Sequence, residues 1–195
     1  MGLSYCTETS AADWIVGSRA PWHRLVTFGP PVFEAYARLR FIPDPSRPGQ
    51  AEADVDVPDD HLSDFAQARL ALRRLARFTD TPGDCYFCAW DGYSDIEFPP
   101  AVRDGRMVDL THRRYAMLRG SLGDTDDWEK SLGSEGPCPP PALVWPADHR
   151  WCFASDVDPH WAGIGAEQAA VDALVDDSRL DVVSARADDV HPAYG

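Results

Sequence analysis

Apolar and polar positions alternate with a period of two in several short stretches of the chain, and this alternation predicts β-strands. The clearest case is residues 33–42, where apolar side chains at every second position alternate with charged and aromatic ones. Further strands are predicted at residues 25–28, 85–90, 106–110, 115–119, 142–145, 151–156 and 180–183. Because these strands come in clusters, the pattern predicts an α+β fold with a mainly antiparallel sheet.

Two segments, residues 60–78 and 166–176, are predicted to be the two principal helices of the fold. The first has its apolar residues at helical spacing, with Asp60 as the expected N-cap. Its arginines recur every four residues along one side. We interpret this row as a solvated helix face, and a docking face for an anion is the alternative. A shorter helix is predicted at residues 126–130.

The length of the chain and its two linkers predict a single domain over residues 1–195. A domain of 195 residues buries enough surface to be stable without disulfides or a structural metal. Two acidic, proline-rich segments, residues 43–60 and 123–141, are predicted to be surface loops. The sequence has neither the apolar run of about 18 residues that a membrane span requires nor a signal peptide. We therefore expect a cytoplasmic protein.

The net charge and the cysteines indicate which ligands and partners the protein does not bind. A formal net charge of −14 argues against a nucleic-acid partner, because phosphate binding requires clustered cations. The five cysteines are predicted to be free thiols. Cys85 and Cys88 have a metal-site spacing but lack a second ligand pair, and in a strand their sulfurs face opposite sides of the sheet. Both are interpreted as core residues, and no metal or cofactor is predicted.

Residues 143–165 contain the side chains that most strongly indicate a binding or metal site. The predicted strand there ends at Asp156, and Asp158 and His160 follow at alternate positions, which share one face and have the spacing of metal ligands. Pro159 breaks the strand before His160, however, and no glycine-rich phosphate loop precedes the segment. Hydrogen-bonded turn carboxylates are therefore the alternative interpretation. Gly163 and Gly165 precede the predicted second helix, where backbone N–H groups are donors for an anion, but two glycines alone are weak evidence for such a site.

A second predicted strand end carries Trp90 with two carboxylates, Asp91 and Asp95. If it lies beside Asp156 and Trp161, the two ends form an aromatic, acidic pocket suited to a cation or a basic side chain. Core packing is the other interpretation of these tryptophans. The predicted ligand-binding residues are Trp90, Asp91, Arg119, Asp156, Asp158, His160 and Trp161.

Two functional hypotheses follow. The first is a non-enzymatic binding protein that docks a protein or small ligand through this surface, in the manner of a toxin-neutralising immunity protein. It rests on the charge, the seven tryptophans and the lack of a nucleophile elbow or nucleotide-binding motif. The alternative is a metal-assisted hydrolase or transferase that uses Asp156, Asp158 and His160, with Asp91 as a further ligand or base and Arg119 as an anion clamp. Neither hypothesis involves nucleic acid or a membrane.

Four stretches, residues 29–43, 81–93, 115–120 and 145–165, together resemble a family of acidic, tryptophan-rich actinobacterial proteins of unknown function. The resemblance covers most of the chain, with the acidic loops as its variable parts. It implies a single domain and brings no catalytic or binding residues with it.

Overall fold

All strands that the structure describes belong to one antiparallel sheet. The computed structural model describes residues 2–94, 96–134, 136 and 138–195. The strands are β1 Ser4–Tyr5, β2 Ala35–Arg40, β3 Cys85–Trp90, β4 Val108–Leu110, β5 Arg113–Gly120, β6 Leu143–Pro146, β7 Cys152–Ala154, β8 Trp161–Ala166 and β9 Val182–Ala185. Their order is β1-β5-β3-β6-β7-β8-β2-β9, and β4 pairs with the end of β5 away from β1. The predicted α+β fold with an antiparallel sheet is confirmed.

Helices cover both faces of this sheet. They are α1 Asp13–Val16, α2 Trp22–Phe28, α3 Asp64–Leu75, α4 Pro100–Arg103, α5 Trp128–Ser131 and α6 Gln168–Val175, with 3-10 turns at Ser10–Ala12, Glu52–Asp54, Ala76–Phe78 and Leu122–Asp127. One apolar cluster joins the sheet to α3, α5 and α6, and a second joins it to α1 and α2. We call these two sides the α3 face and the α2 face. None of the described helices is long and apolar enough to cross a membrane.

Side chains of β3 alternate between the two faces. Cys85 and Phe87 pack in the cluster of the α3 face, and Cys88 packs in the cluster of the α2 face. The expectation that the two sulfurs point to opposite sides is therefore confirmed. Burial raises the pKa of Cys85 to about 12 and that of Cys88 well above its usual value, so both thiols stay protonated at neutral pH.

The first predicted helix is present but begins later than expected. Ser63, rather than Asp60, is the N-cap of α3, because its Oγ accepts a hydrogen bond from the Ala66 N–H at 3.3 Å. The arginine row is exposed at Arg73 and Arg77, but Arg73 also binds Asp126, and Arg74 beside the row donates to the carbonyl of Ala173. The row ties α3 to neighbouring elements.

The prediction of two principal helices is not confirmed, because α2 is of similar length to α6 and the described residues contain six α-helices in all. Residues 25–28 were predicted as a strand, and this is wrong. The chain turns at Pro21 and forms α2, which buries Leu25, Val26 and Phe28 against the sheet. A four-residue apolar run satisfies either element, and only packing against the sheet selects the helix.

Gly163 and Gly165 lie inside β8 and pair with β2 and β7, so they do not form an anion site at the start of a helix. Their role is close packing. A Cβ on Gly163 would lie 2.0 Å from the Thr27 carbonyl oxygen, and one on Gly165 would lie 2.3 Å from the ring of Phe33. The absence of side chains on this side of β8 lets α2 lie directly on the strand.

The two predicted surface loops differ in kind. Residues 43–60 form irregular structure with one 3-10 turn and are mostly exposed, as predicted. The described part of residues 123–141 is only partly a surface loop, because Trp128 is 1% exposed and donates from Nε1 to the Pro139 carbonyl at 2.9 Å. The predicted helix at 126–130 corresponds to α5 and the 3-10 turn before it.

Candidate functional site

The predicted site residues do not meet in one cavity. Asp91 accepts a hydrogen bond from Arg114 Nε at 2.6 Å and lines a small pocket beside α4. Arg119 lies near the far end of β5 and binds Asp84 at 2.6 Å. Neither lies beside the residues that follow β7. Asp95, the second carboxylate of that predicted strand end, lies outside the described residues.

Asp156 and Trp90 do come together, and the group between them is an arginine of the chain itself. Arg113 donates to Asp156 from Nε at 2.8 Å and from Nη2 at 3.1 Å, and Nη2 also lies 3.3 Å from Asp158. Its guanidinium carbon is 5.1 Å from the centroid of the Trp90 ring and 5.8 Å from that of Trp22. The predicted aromatic, acidic pocket for a basic side chain is thus filled from within, and we call it the Arg113 cage.

The predicted metal ligands separate into two groups. Asp156 and Asp158 share Arg113, whereas His160 Nε2 lies 3.0 Å from Asp44 Oδ1. Within the described residues, no three His, Cys, Asp or Glu side chains are grouped so that they could hold a metal ion. The structure therefore does not bring the three residues together as a coordination site.

Asp44 is the centre of a second ionic cluster on the α2 face. It accepts two hydrogen bonds from Arg38, at 2.7 and 2.9 Å, and one from Arg40 at 3.1 Å. Burial raises the pKa of Asp44, but the hydrogen bonds from Arg38 and His160 outweigh it and hold the pKa well below its usual value. The Arg38 guanidinium also faces the ring of Trp161, at 5.4 Å from its centroid. This cluster fixes one side of Trp161.

The loop after β7, residues 155–159, lies between two cavities. One, of about 510 Å³, has Asp64, Glu129 and Asp156 on its walls with the ring of Tyr93. Pro159 contributes to the walls of both cavities. The strand end between Asp156 and Trp161 therefore borders two cavities, and neither contains the full predicted set of site residues.

The other cavity, of about 460 Å³, lies between α2, the start of β8 and residues 187–193. We call it the Trp161 cavity. One face of α2 supplies His23, Arg24, Thr27 and Phe28, which follow helical spacing. The opposite wall is Trp161 with Asp158 and Pro159, and residues 187–193 close the remaining side.

Three rings form its aromatic wall. The centroids of Phe28 and Trp161 are 5.2 Å apart, and the ring of His191 lies 5.1 Å from the first and 5.2 Å from the second. Phe28 and Trp161 are almost completely buried. Because burial holds Phe28 and Trp161 in place and the His191 ring packs against both, the cavity offers a preformed aromatic surface.

Two residues that line the cavity each contain a buried polar atom without a partner. Arg24 is 8% exposed, and its Nη1 binds Asp188, but its Nε has no acceptor within the described part of the chain. His191 Nε2 is likewise buried with no hydrogen-bond partner there. Burial lowers the pKa of His191, and the charge of Arg38 lowers it further, so the ring is neutral at pH 7.

Comparisons of the chain with known protein-family models, with curated proteins and with solved structures find no match. The assignment of a function therefore rests on the geometry alone.

Sequence reasoning found part of the Trp161 cavity and missed the rest. Asp158 and Trp161 were predicted. Arg24 and Phe28 were missed because α2 was read as a strand, and the proline before the helix was the available signal. His191 has no signal in the sequence, since only the return of the chain onto α2 brings it to the cavity.

Proposed function

We propose that this protein is a binding protein that takes a small molecule in the Trp161 cavity. The observation that carries the proposal is the aromatic wall of that cavity, where the rings of Phe28, Trp161 and His191 lie 5.1 to 5.2 Å apart. A molecule that covers these rings removes apolar surface from water, and this stabilises the complex.

The shape and lining of the cavity support a small ligand. Its volume of about 460 Å³ is within the range of roughly 300–1,000 Å³ that small-molecule sites occupy. Such sites are mostly apolar with a few placed polar groups. The rings of Phe28, Trp161 and His191 supply the apolar surface, and the side chains of Arg24, Thr27 and Asp158 supply the polar groups.

The proposal keeps the predicted class, a binding protein, and changes the place of binding. The cation site expected beside Trp90 and Asp156 contains Arg113. The metal-assisted alternative has no support in the geometry, because His160 binds Asp44 rather than facing Asp156.

Binding of a neutral fluorescent probe tests the proposal. N-phenyl-1-naphthylamine is aromatic and uncharged, and its emission rises in an apolar site. We expect saturable binding with one site per chain. Ala187→Trp places a large ring at the wall of the cavity and should abolish binding, because the probe and the indole compete for one space.

Ala101→Trp is the matched control, since Ala101 is exposed on α4 and lies on no wall of the cavity. This variant should bind the probe as the unmodified protein does. Melting curves of both variants establish that they fold. Equal probe binding by folded Ala187→Trp and Ala101→Trp, or no saturable binding by the unmodified protein, would overturn the proposal.

A further inference from the structure

We infer that the ligand of the Trp161 cavity is an organic cation, a molecule that joins an apolar body to a positively charged ammonium group. The inference rests on the proposed function and deepens it by naming the charge of the ligand. It comes from the charges that border the cavity, from their exposure, and from a cation that the chain itself holds beside the cavity.

Carboxylates outnumber cations among the described residues that line the cavity. The lining contains Asp158, Asp188 and Asp189 and a single arginine, Arg24. With the histidines counted as neutral, three carboxylates against one guanidinium leave an excess of two negative charges. Coulomb attraction acts over about 8 Å at physiological ionic strength and needs no hydrogen bond to any one carboxylate. The sum of the charges therefore favours a positive ligand.

The carboxylates are also the charges that a ligand can reach. The side chains of Asp158 and Asp188 are 83% and 84% exposed, and that of Asp189 is 60% exposed. The Arg24 side chain is only 9% exposed, and its guanidinium carbon lies 5.3 Å from the centroid of the Tyr36 ring. A molecule that enters from solvent therefore meets the carboxylates rather than the guanidinium.

Two of the carboxylates have positive partners that do not line the cavity. Arg113 is 3.3 Å from Asp158, and its 14% exposed side chain is bound by Asp156 as well. Arg186 lies 3.9 Å from Asp189, which is beyond hydrogen-bond distance. A carboxylate has about four acceptor positions, so it can receive a second cation and keep the first. The existing pairs thus leave the carboxylates able to attract a ligand.

The apolar wall favours an organic cation over an inorganic one. Phe28, Pro159 and Trp161 border the cavity, and alkyl or aromatic groups of a ligand that cover them leave water. The nearby charge of Arg38, 5.4 Å from the centroid of the Trp161 ring, is balanced by Asp44 at 2.7 Å. It therefore does not reverse the sign of the attraction.

The Arg113 cage is a precedent for this chemistry within the chain. Its guanidinium lies 5.1 Å from the centroid of the Trp90 ring and is bound by Asp156 and Asp158. The Trp161 cavity has the same two components, an aromatic wall and carboxylates, and it shares Asp158 with the cage. The cage is filled by a side chain, whereas the Trp161 cavity has about 460 Å³ of space for a ligand.

Three phenols of the same shape test the inference by calorimetric titration. (3-Hydroxyphenyl)trimethylammonium is positive, 3-tert-butylphenol is its neutral isostere, and 3-hydroxybenzenesulfonate carries a negative group in the same place. We expect the ammonium compound to bind about tenfold more tightly than the neutral phenol, and the sulfonate to bind most weakly. Raising NaCl from about 0.02 M to about 0.5 M should shrink the preference at least about threefold, since salt screens charges but not apolar contacts.

Two variants assign the preference to the carboxylates of the lining. Asp158→Asn and Asp188→Asn each remove one negative charge from a largely exposed side chain, and melting curves establish that they fold. Each should lower the affinity for the ammonium compound about threefold and leave that for 3-tert-butylphenol unchanged. Asp127→Asn is the matched control, because it removes the same charge from an exposed position before α5, on the α3 face. It should change neither affinity.

The results separate failure of the inference from failure of the proposed function. The ammonium compound should displace N-phenyl-1-naphthylamine, and failure to displace it would overturn the inference. Binding of the neutral phenol or the sulfonate that is as tight as that of the ammonium compound would also overturn it. So would a preference that salt does not reduce, or unchanged affinities in both aspartate variants. If the fluorescent probe fails as well, the proposed function itself is wrong.

Discussion

Two arginines on the α2 face, Arg113 and Arg24, have similar surroundings but differ in how many of their hydrogen-bond donors have a partner. Each lies near aromatic rings, and each binds an aspartate. Arg113 makes three hydrogen bonds to Asp156 and Asp158, with Trp90 and Trp22 near its guanidinium. Arg24 binds one exposed carboxylate, that of Asp188, and its Nε has no partner in the described structure.

The difference teaches which buried cation is structural and which marks a site. A buried charge with all its donors satisfied has no free interaction to offer a ligand, so Arg113 holds the chain together. Arg24 borders the Trp161 cavity and keeps a donor without a partner, so it is the arginine that the proposed function places beside a ligand. The sequence motif that looked most like a site, Asp156 to Asp158, belongs to the complete cluster.

Arg113→Met is expected to lower the free energy of unfolding most. The variant leaves Asp156, whose side chain is only 7% exposed, buried without a counterion. We expect the free energy of unfolding in urea to fall by about 3 kcal/mol. Arg103→Met removes a side chain from an exposed ion pair with Asp104 and should cost less than about 0.5 kcal/mol. Equal losses in the two variants would show that the Arg113 cage is not structural.

Asp44→Asn is expected to lower the free energy of unfolding by an intermediate amount that depends on pH. It leaves buried Arg38 without a carboxylate, so we expect a loss of about 2 kcal/mol at pH 7. Because the pKa of Asp44 is lowered in the folded state, its contribution is complete above the unfolded pKa of about 4 and is lost as the pH falls below it.

Urea unfolding at pH 7 and at pH 3 checks whether the contribution of Asp44 to stability falls as the pH is lowered. The difference between the unmodified protein and Asp44→Asn should shrink at pH 3, because the unmodified protein loses part of the contribution that the variant already lacks. Asp54→Asn, in the exposed pair with Arg47, is the control and should change little at pH 7. A gap of the same size at both pH values contradicts the assignment.

Arg24→Lys, in the absence of ligand, is expected to change the free energy of unfolding least. Lysine keeps the charge opposite exposed Asp188 and removes a donor that has no partner. The free energy of unfolding should change by less than about 1 kcal/mol. Arg113→Lys, the same exchange in the complete cluster, loses the paired hydrogen bonds to Asp156 and should cost about 2 kcal/mol. If both exchanges cost the same, the contrast between the two arginines does not hold.

The fold was predictable wherever one local pattern favoured one element. The alternation in residues 33–42 predicted β2, and the apolar stripe after residue 60 predicted α3, because burial of one face imposes the period of the element. The errors fall where the pattern is short. Residues 25–28 fit a strand or a helix equally, and β8 was not predicted because its two glycines lack the side chains that signal a strand.

The candidate site was less predictable than the fold. Trp161 and Asp158 were named from the sequence because aromatic and acidic residues after a strand are conspicuous. Arg113 was missed although it decides what Asp156 does, since it lies 43 positions away at the start of β5. An ion pair between residues that are far apart in the sequence produces no periodic pattern from which it could be predicted.

The sequence by itself determined the α+β class, the antiparallel sheet and the opposite facing of Cys85 and Cys88, because side-chain alternation is a local property of a strand. Only the tertiary structure decided which charges are paired. It placed Arg113 against Asp156 and closed the space beside Trp161 with residues 187–193. It left Arg24 Nε without a partner. Pairing depends on which distant side chains meet, and that is set by the packing of α2 and the C-terminal segment on the sheet.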